Sequence, residues 1–598
     1  MTESLPIEDL ASLPSFHHPA ASPDGDAVAV YYDESGRNEL HLLDPETGER
    51  EQLSDGDVPR NARWPVSWSA DGERVYFHMD DGGNEQNDIH AIDRDGGVET
   101  VVSMDGQLSL TDVGEDERTL LLGGTAGGQM NLYVHDLESD ETEKLTDHDR
   151  AAGGGVLDPA CERAAYSTNE SDDFDNQDVF VVDLDEKRPE NLEIGETGAE
   201  ASPSEFGPDG DTLLVSDNTN DFSRCGVYDF ESGDVTWYGD LDADERPVGF
   251  TDDGDRFLAL RVEDAAISPV VYDVDSGDRE TFDLPTGVAA FASSPFLGDE
   301  RVLLSQTTPS ERAALLAYDL ETGETETLIE PAYGDIDPDT FVDADYFRFE
   351  SHDGLDIGAI RYDSGERPSP GIVHVHGGPR AQDFRSFNLY DQFLLSRGYS
   401  VLHVNYRGSS GRGREFAERL LSDWGGGEQE DIAAGARLLR DEDWIDEDRV
   451  AVMGGSYGGY SAYWQMVQYP ELYAAGVAWV GVTDLFDMFE NTMPHFQTEL
   501  MEKYLGTPDE NEDLYRERSP VEYVENLDSP LLMIHGVNDR RVPVSQARIF
   551  RDALDDAGFE EGDDYEYHEL GEEGHGSSDI QQKIRTFEIL DDFLDRRL

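Results

Sequence analysis

Two residue types are nearly missing from this chain. Lysine occurs at four positions only, Lys144, Lys187, Lys503 and Lys583, and cysteine at two, Cys161 and Cys225. Two cysteines cannot make a disulfide framework; they leave room for one bridge at most, and two buried free thiols are expected in preference to it. The opening residues Met-Thr-Glu-Ser-Leu-Pro-Ile-Glu-Asp hold neither a basic region nor an apolar stretch, so no secretory signal is expected. No run of 18 apolar residues occurs, so no membrane span is expected and a cytoplasmic location is inferred.

Positive charge is scarce as well. Lysine and arginine together number 43 against 134 acidic residues, a formal net charge of −91. Such a surface repels phosphate backbones, which argues against a nucleic-acid partner. The acid is not gathered in a tail. It recurs throughout, in turns such as Asp252-Asp253 and in Glu561-Gly562-Asp563-Asp564. That distribution reads as a solvated shell over an ordinary fold, in preference to a cation store. At low salt the self-repulsion would be severe, whereas at about 1 M salt the screening length falls to about 3 Å. The composition therefore points to a halophilic protein of a salt-rich cytoplasm.

At 598 residues the chain exceeds one ordinary domain, and its two halves follow different patterns. The first 330 or so residues repeat. One marker is a turn, as in Ser22-Pro-Asp-Gly25, Ser69-Ala-Asp-Gly72, Gly207-Pro-Asp-Gly210 and Thr251-Asp-Asp-Gly254, with degenerate copies at Gly114–Glu117, Asp158–Cys161 and Leu297-Gly298-Asp299. The other is an aspartate that closes an alternating strand, at 44, 93, 136, 183, 229, 273 and 319, giving spacings of 49, 43, 47, 46, 44 and 46. Seven units of that length suit a ring of seven four-stranded blades better than an open β-solenoid, whose coils are shorter. The aspartates are read as turn formers, not metal ligands.

After about residue 335 strands and helices alternate. Gly371–His376, Tyr399–Asn405, Val450–Met453, Gly476–Val480, Leu531–Ile534 and Tyr565–His568 read as strands, several of them apolar throughout, as in a parallel sheet buried on both faces. Helical patterns cover about 429–440, 457–469, 546–557 and 581–596. The expected architecture is thus two domains: a seven-bladed β-propeller over 15–333, then a doubly wound, mostly parallel α/β-hydrolase sheet over 334–598. Residues 1–14 form an N-terminal extension expected to pack on the hydrolase domain.

Gly454-Gly455-Ser456-Tyr457-Gly458 sits between the 450–453 strand and the 457–469 helix. In that context G-x-S-x-G is a nucleophile elbow: the turn is so sharp that a Cβ at Gly454 or Gly458 would strike its neighbours. A serine hydroxyl needs a base to take its proton. In this arrangement the acid and then the histidine follow the serine in sequence. Asp539 lies just past the 531–534 strand, at its carboxyl end, whereas Glu525 and Asp528 precede it. His575 follows the last strand between two glycines, and His568 falls within a strand pattern. The candidate triad is Ser456, Asp539 and His575. The expected oxyanion donors are the backbone N–H of Tyr457 and one from His376-Gly377-Gly378-Pro379, with Gly378 preferred to Gly377.

These segments, with Asn405-Tyr-Arg-Gly-Ser-Ser-Gly411, Asp423-Trp-Gly425, Gly454-Gly-Ser-Tyr-Gly-Gly-Tyr460, Asn538-Asp-Arg-Arg541 and Gly574-His575, resemble the prolyl oligopeptidase family of serine peptidases. His-Gly-Gly-Pro is most similar to its acylaminoacyl-peptidase branch; proline-specific members usually carry tyrosine where His376 stands. The resemblance implies that Arg541 holds a substrate backbone carbonyl and that the propeller restricts access to short peptides. Dipeptidyl members bind the free amino terminus with two propeller glutamates, which cannot be singled out in so acidic a sequence. The expected function is a serine peptidase acting on short peptides through an acyl-enzyme, of acylaminoacyl-peptidase or oligopeptidase type, with no metal or cofactor. An esterase or deacylase with the same triad is the alternative, and a propeller binding protein with an inactive hydrolase domain is the second. The sequence leaves homo-oligomerisation open.

Overall fold

The computed structural model describes residues 5–298, 300–571, 573–577 and 579–598. Residues 1–4 of the N-terminal extension, Asp299 of the last degenerate turn marker, and Glu572 and Ser578 around the candidate histidine lie outside the described residues.

Seven four-stranded antiparallel units follow one another from Phe16 to Ile329. The last two share a single parallel pairing, Ile267 with Val288. In the first and third blades the second strand, Val28–Tyr32 and Thr119–Gly124, is buried at every residue. The outermost strands are mostly exposed, as in Arg50–Gln52, Glu141–Lys144 and Pro189–Asn191. Much of the excess acid sits there and in the turns. All seven marker aspartates cap their own turns: Asp44 accepts the N–H groups of Glu46 (2.8 Å) and Thr47 (3.0 Å), and Asp93, Asp136, Asp183, Asp229, Asp273 and Asp319 do the same two to four residues ahead.

The propeller core is divided. Seven apolar clusters lie one at each blade interface, and the cluster of Ala21, Val28 and Val30 with Leu303, Leu315 and Ala317 joins the first blade to the last. Two buried carboxyls also cross between blades. Asp112 accepts the N–H of Leu157 (2.7 Å), and Glu205 accepts that of Phe250 (2.5 Å). Burial pushes Asp112 up to about 6 and Glu205 up to about 8. Cys161 is half-buried and Cys225 fully buried, both as free thiols.

The second domain is one eight-stranded sheet. Its spatial order is Ala344–Glu350, Asp356–Tyr362, Ser400–Asn405, Ser369–Val375, Ile445–Gly455, Ala475–Trp479, Leu531–Gly536 and Tyr565–Leu570. The first two pairings are antiparallel and the remainder parallel. The sequence reading misses the first two strands and the helix Leu389–Ser396. Ala344–Glu350 is an edge strand with a single buried residue, and Asp345, Arg348 and Glu350 interrupt its apolar pattern. Large apolar clusters cover both faces of the sheet. The short helix Ile7–Ala11 belongs to one of them: Leu10, Ala11 and Leu13 join the cluster of Phe587, Leu590 and Phe593 on the C-terminal helix Ile580–Arg597. Among the described residues, no helix is long and apolar enough to cross a membrane.

Candidate active site

Ser456 stands between the strand Ile445–Gly455 and the helix Tyr457–Gln468, with φ 58° and ψ −119°. That is a strained position for a residue with a Cβ. The surroundings enforce it. The Ser456 N–H is tied to the Trp479 carbonyl (2.9 Å). A Cβ on Gly458 would overlap the Val375 carbonyl oxygen, and one on Gly454 would overlap that of Gly458. The strand and helix therefore approach as closely as backbone permits, and the hydroxyl is carried at the carboxyl edge of the sheet.

Asp539 follows the strand Leu531–Gly536. Its side chain is fully buried, and one carboxylate oxygen accepts the N–H groups of Arg541 (2.9 Å) and Val542 (3.0 Å). The other lies 2.7 Å from His575 Nδ1. The acid loop and the histidine loop are joined by the Asn538 N–H to the Glu573 carbonyl (2.8 Å). Both loops rest on the second blade: Asn538 Nδ2 donates to the Gly82 carbonyl (2.9 Å), and Gly574 packs directly on the Gly83 backbone. Ser456 and His575 border one cavity of about 100 Å³. Among the described residues, no hydrogen bond joins the Ser456 hydroxyl to His575, so proton transfer requires a small movement of one side chain toward the other.

The two glycines after His376 differ in placement. The Gly377 carbonyl lies 2.8 Å from His376 Nδ1. A carbonyl only accepts, so that nitrogen carries the proton; burial lowers the pKa of His376 and keeps it neutral. His376 is fixed in turn by stacking on Tyr406, with centroids 4.2 Å apart. With the 377 carbonyl held back, the trans peptide aims the Gly378 N–H the other way. Gly378, at φ 125°, borders the cavity. Gly377 packs against the Gly455 carbonyl oxygen and the Ser456 side chain, where an added Cβ would come within 3.2 Å of each.

Most of the remaining cavity wall is apolar, built from Trp424, Val482, Met488, Phe496, Leu500 and Val542 beside Tyr457. Below it lies a buried acid that the sequence reading does not single out. Glu428 accepts from the Tyr457 hydroxyl (2.9 Å) and from the N–H groups of Gly425 (2.5 Å) and Gly426 (3.0 Å). Burial pushes its carboxyl up to about 7. It thereby fixes the Asp423-Trp-Gly425 segment beneath Tyr457, the residue that follows Ser456, with Trp424 edge-on to Tyr457 at 4.8 Å.

Arg541 also borders the cavity, but it is not free. Its Nε and Nη2 pair with Glu85 (2.8 and 3.0 Å), a buried propeller residue held at φ 56°, and Arg63 pairs with the same carboxylate. Glu85 is the second residue that the sequence reading misses. Its one signal there is an irregular acidic loop, Asp80–Asn87, in a chain where acidic loops are everywhere. A larger chamber of about 550 Å³ adjoins across Gly378 and Leu500 and lies between the domains. In its wall Glu200 of the propeller pairs with Arg380 and with Lys503 (3.3 Å).

Residues 385–598 match the model of the prolyl oligopeptidase family. Over 97% of this chain and 90% of the relative, it is 26% identical to YuxL, an uncharacterised peptidase of Bacillus subtilis. It is 34% identical to dipeptidyl aminopeptidase BIII of Pseudoxanthomonas mexicana, over 30% of this chain and 27% of that enzyme, so the likeness to that relative spans under a third of its length. In structure, a puromycin-hydrolysing peptidase of Mycobacterium tuberculosis superposes with a TM-score of 0.84 at 21% identity, covering 100% of this chain and 98% of the other.

Proposed function

Since this chain, through residues 385–598, is a member of the prolyl oligopeptidase family of serine peptidases, we propose that it removes an acylated residue from the amino end of short peptides, with Ser456, His575 and Asp539 as its catalytic residues. The observation that carries the triad is the His575–Asp539 contact at 2.7 Å beside a strained Ser456 in a shared cavity.

In this reading His575 takes the Ser456 proton as the hydroxyl attacks the scissile carbonyl. Asp539, fixed by two backbone N–H groups, holds the imidazole with its proton on Nδ1 and offsets the imidazolium charge. The backbone N–H groups of Tyr457 and Gly378 receive the developing oxyanion. His575 then passes the proton to the leaving amine. Water, deprotonated by the same histidine, releases the acid from Ser456. The apolar wall around Trp424, Phe496 and Leu500 selects an apolar side chain at the cleaved residue. The Arg541 nitrogen not engaged by Glu85 is the donor for a substrate backbone carbonyl.

Preference for a blocked amino end rests on charge. Among the described residues, the cavity at Ser456 has no carboxylate in its wall. The propeller acids nearby, Glu85 and Glu200, are each matched by two cations. A free ammonium at Ser456 would meet no counter-charge in that cavity wall, whereas a neutral acyl group needs none. The esterase alternative uses the same residues and is separated by substrate. We place the enzyme in a cytoplasm of molar salt on the strength of its −91 net charge.

The test is in molar KCl. The parent protein should be labelled at Ser456 by a fluorophosphonate and should release acetyl-Phe or acetyl-Leu from short peptides at least about tenfold faster than it cleaves their free-amino counterparts. Ser456→Ala should lose labelling and at least about 10³-fold in kcat/KM. Persistent labelling of that variant overturns the triad; a preference for free amino ends overturns the acyl specificity alone.

A further inference from the structure

The catalytic apparatus leaves one buried constellation unused. His374 and His403 are register partners on the neighbouring parallel strands Ser369–Val375 and Ser400–Asn405, with ring centroids 4.4 Å apart. Asp383, from the loop between the first of these strands and the helix Leu389–Ser396, brings one carboxylate oxygen to 3.2 Å from His374 Nδ1 and 2.8 Å from His403 Nδ1. The three donor atoms all lie within 4.8 Å of one another. On the far side of His403, Nε2 is 2.9 Å from Asp391, which is 1% exposed and whose other oxygen is buried without a hydrogen-bond partner.

We propose that His374, Asp383 and His403 form a binding site for one divalent transition-metal ion of the zinc class, with Asp391 orienting His403 from behind. Two imidazole nitrogens and one carboxylate oxygen are a donor set that such ions favour over the hard cations that acidic surfaces attract. An imidazole whose other ring nitrogen is held by a carboxylate is the usual arrangement for a metal-bound histidine.

The frame is rigid. Asn405 grips the Asp383 backbone from both sides, accepting its N–H at 2.8 Å and donating to its carbonyl at 2.9 Å. Access exists as well, since the side chains of His374 and Asp383 are 17% and 19% exposed while His403 is sealed at 4%. The ion takes no part in bond cleavage. It ties two adjacent strands to the loop that continues from Gly378, and so stabilises the ground on which the oxyanion donor stands. The sequence reading assigns no metal because the three residues are dispersed and the nearest histidine, His376, belongs to another network.

The test uses the full chain in molar KCl, chelator-treated and desalted, with Zn²⁺ and Co²⁺ as probes. One ion per chain should remain after gel filtration at equimolar metal, Co²⁺ should give visible ligand-field absorption, and Zn²⁺ should raise the Tm. His374→Ala and Asp383→Asn should abolish all three signals, and Asp391→Asn should weaken Co²⁺ binding about tenfold. His374 is partly exposed, so its variant keeps the test valid if the Asp383 variant fails to fold. No retained ion in the parent, or equal retention by His374→Ala, overturns the site. None of these outcomes depends on peptidase activity.

Discussion

The propeller and the hydrolase domain bury their apolar residues in opposite ways. Among the described residues, each blade shares a small cluster with its neighbour, seven in all, and no cluster spans the ring. The hydrolase instead packs one sheet between two large clusters. The first plan tolerates local change, because each unit answers only to the next. The second does not, because strands and helices in it approach to backbone distance. The proposed catalysis needs that intolerance: the elbow at Ser456 exists only because glycines at 454 and 458 let three segments nearly touch.

The sharpest test of this contrast is a pair of equal substitutions. Gly458→Ala drives a methyl group into the Val375 carbonyl and should abolish activity and cost over about 3 kcal/mol, read by chemical denaturation. Gly153→Ala, in a propeller strand where an added Cβ meets nothing within 4 Å, should leave both unchanged. Equal sensitivity at the two positions would end the comparison. Salt should act next most strongly, and on both domains. Lowering KCl from about 2 M to about 0.1 M lengthens the screening distance from under 3 Å to about 10 Å. Activity and near-UV circular dichroism should be lost together; full activity at low salt would contradict the halophilic reading.

A smaller effect is expected where the propeller reaches into the site. Glu85→Gln removes the charge that holds Arg541 and Arg63, and should raise KM about tenfold with kcat changed less. A collapse of kcat at constant KM would instead give Glu85 a part in the chemical step. The smallest effect concerns the carboxyls between blades. Glu205 has a folded pKa of about 8, above the usual glutamate value of 4.5, with burial as the main cause. The native state then holds a proton that the unfolded chain releases. Its contribution to stability is complete below pH 4.5 and is lost as pH rises through 8. Glu205→Gln should therefore flatten the decline of Tm between pH 6 and 9 and leave the variant more stable than the parent at pH 9. An unchanged slope would mean that the carboxyl is ionised in the folded protein.

The same contrast decides what could be read without coordinates. Blades announce themselves by repetition, since Asp44 and its six counterparts each cap a turn with their own side chain. The elbow and the acid and histidine loops are equally local, fixed by short runs of glycine beside a strand end. What escapes is whatever joins distant segments. Glu85 meets Arg541 across 456 residues of chain. Glu428 reaches Tyr457 from a helix start. In a sequence with 134 acidic residues, composition alone cannot mark the few that are buried. The edge strand Ala344–Glu350 escapes for a related reason: half-wet strands lose the apolar run by which their neighbours are recognised.

The seat of the helix Ile7–Ala11 against the C-terminal helix sets an order on assembly. A ribosome delivers the first of these partners several hundred residues before the second. All seven blades can close while Leu10 and Leu13 still wait for Leu590 and Phe593, so the seat of Ile7–Ala11 is completed only once the C-terminal helix is made.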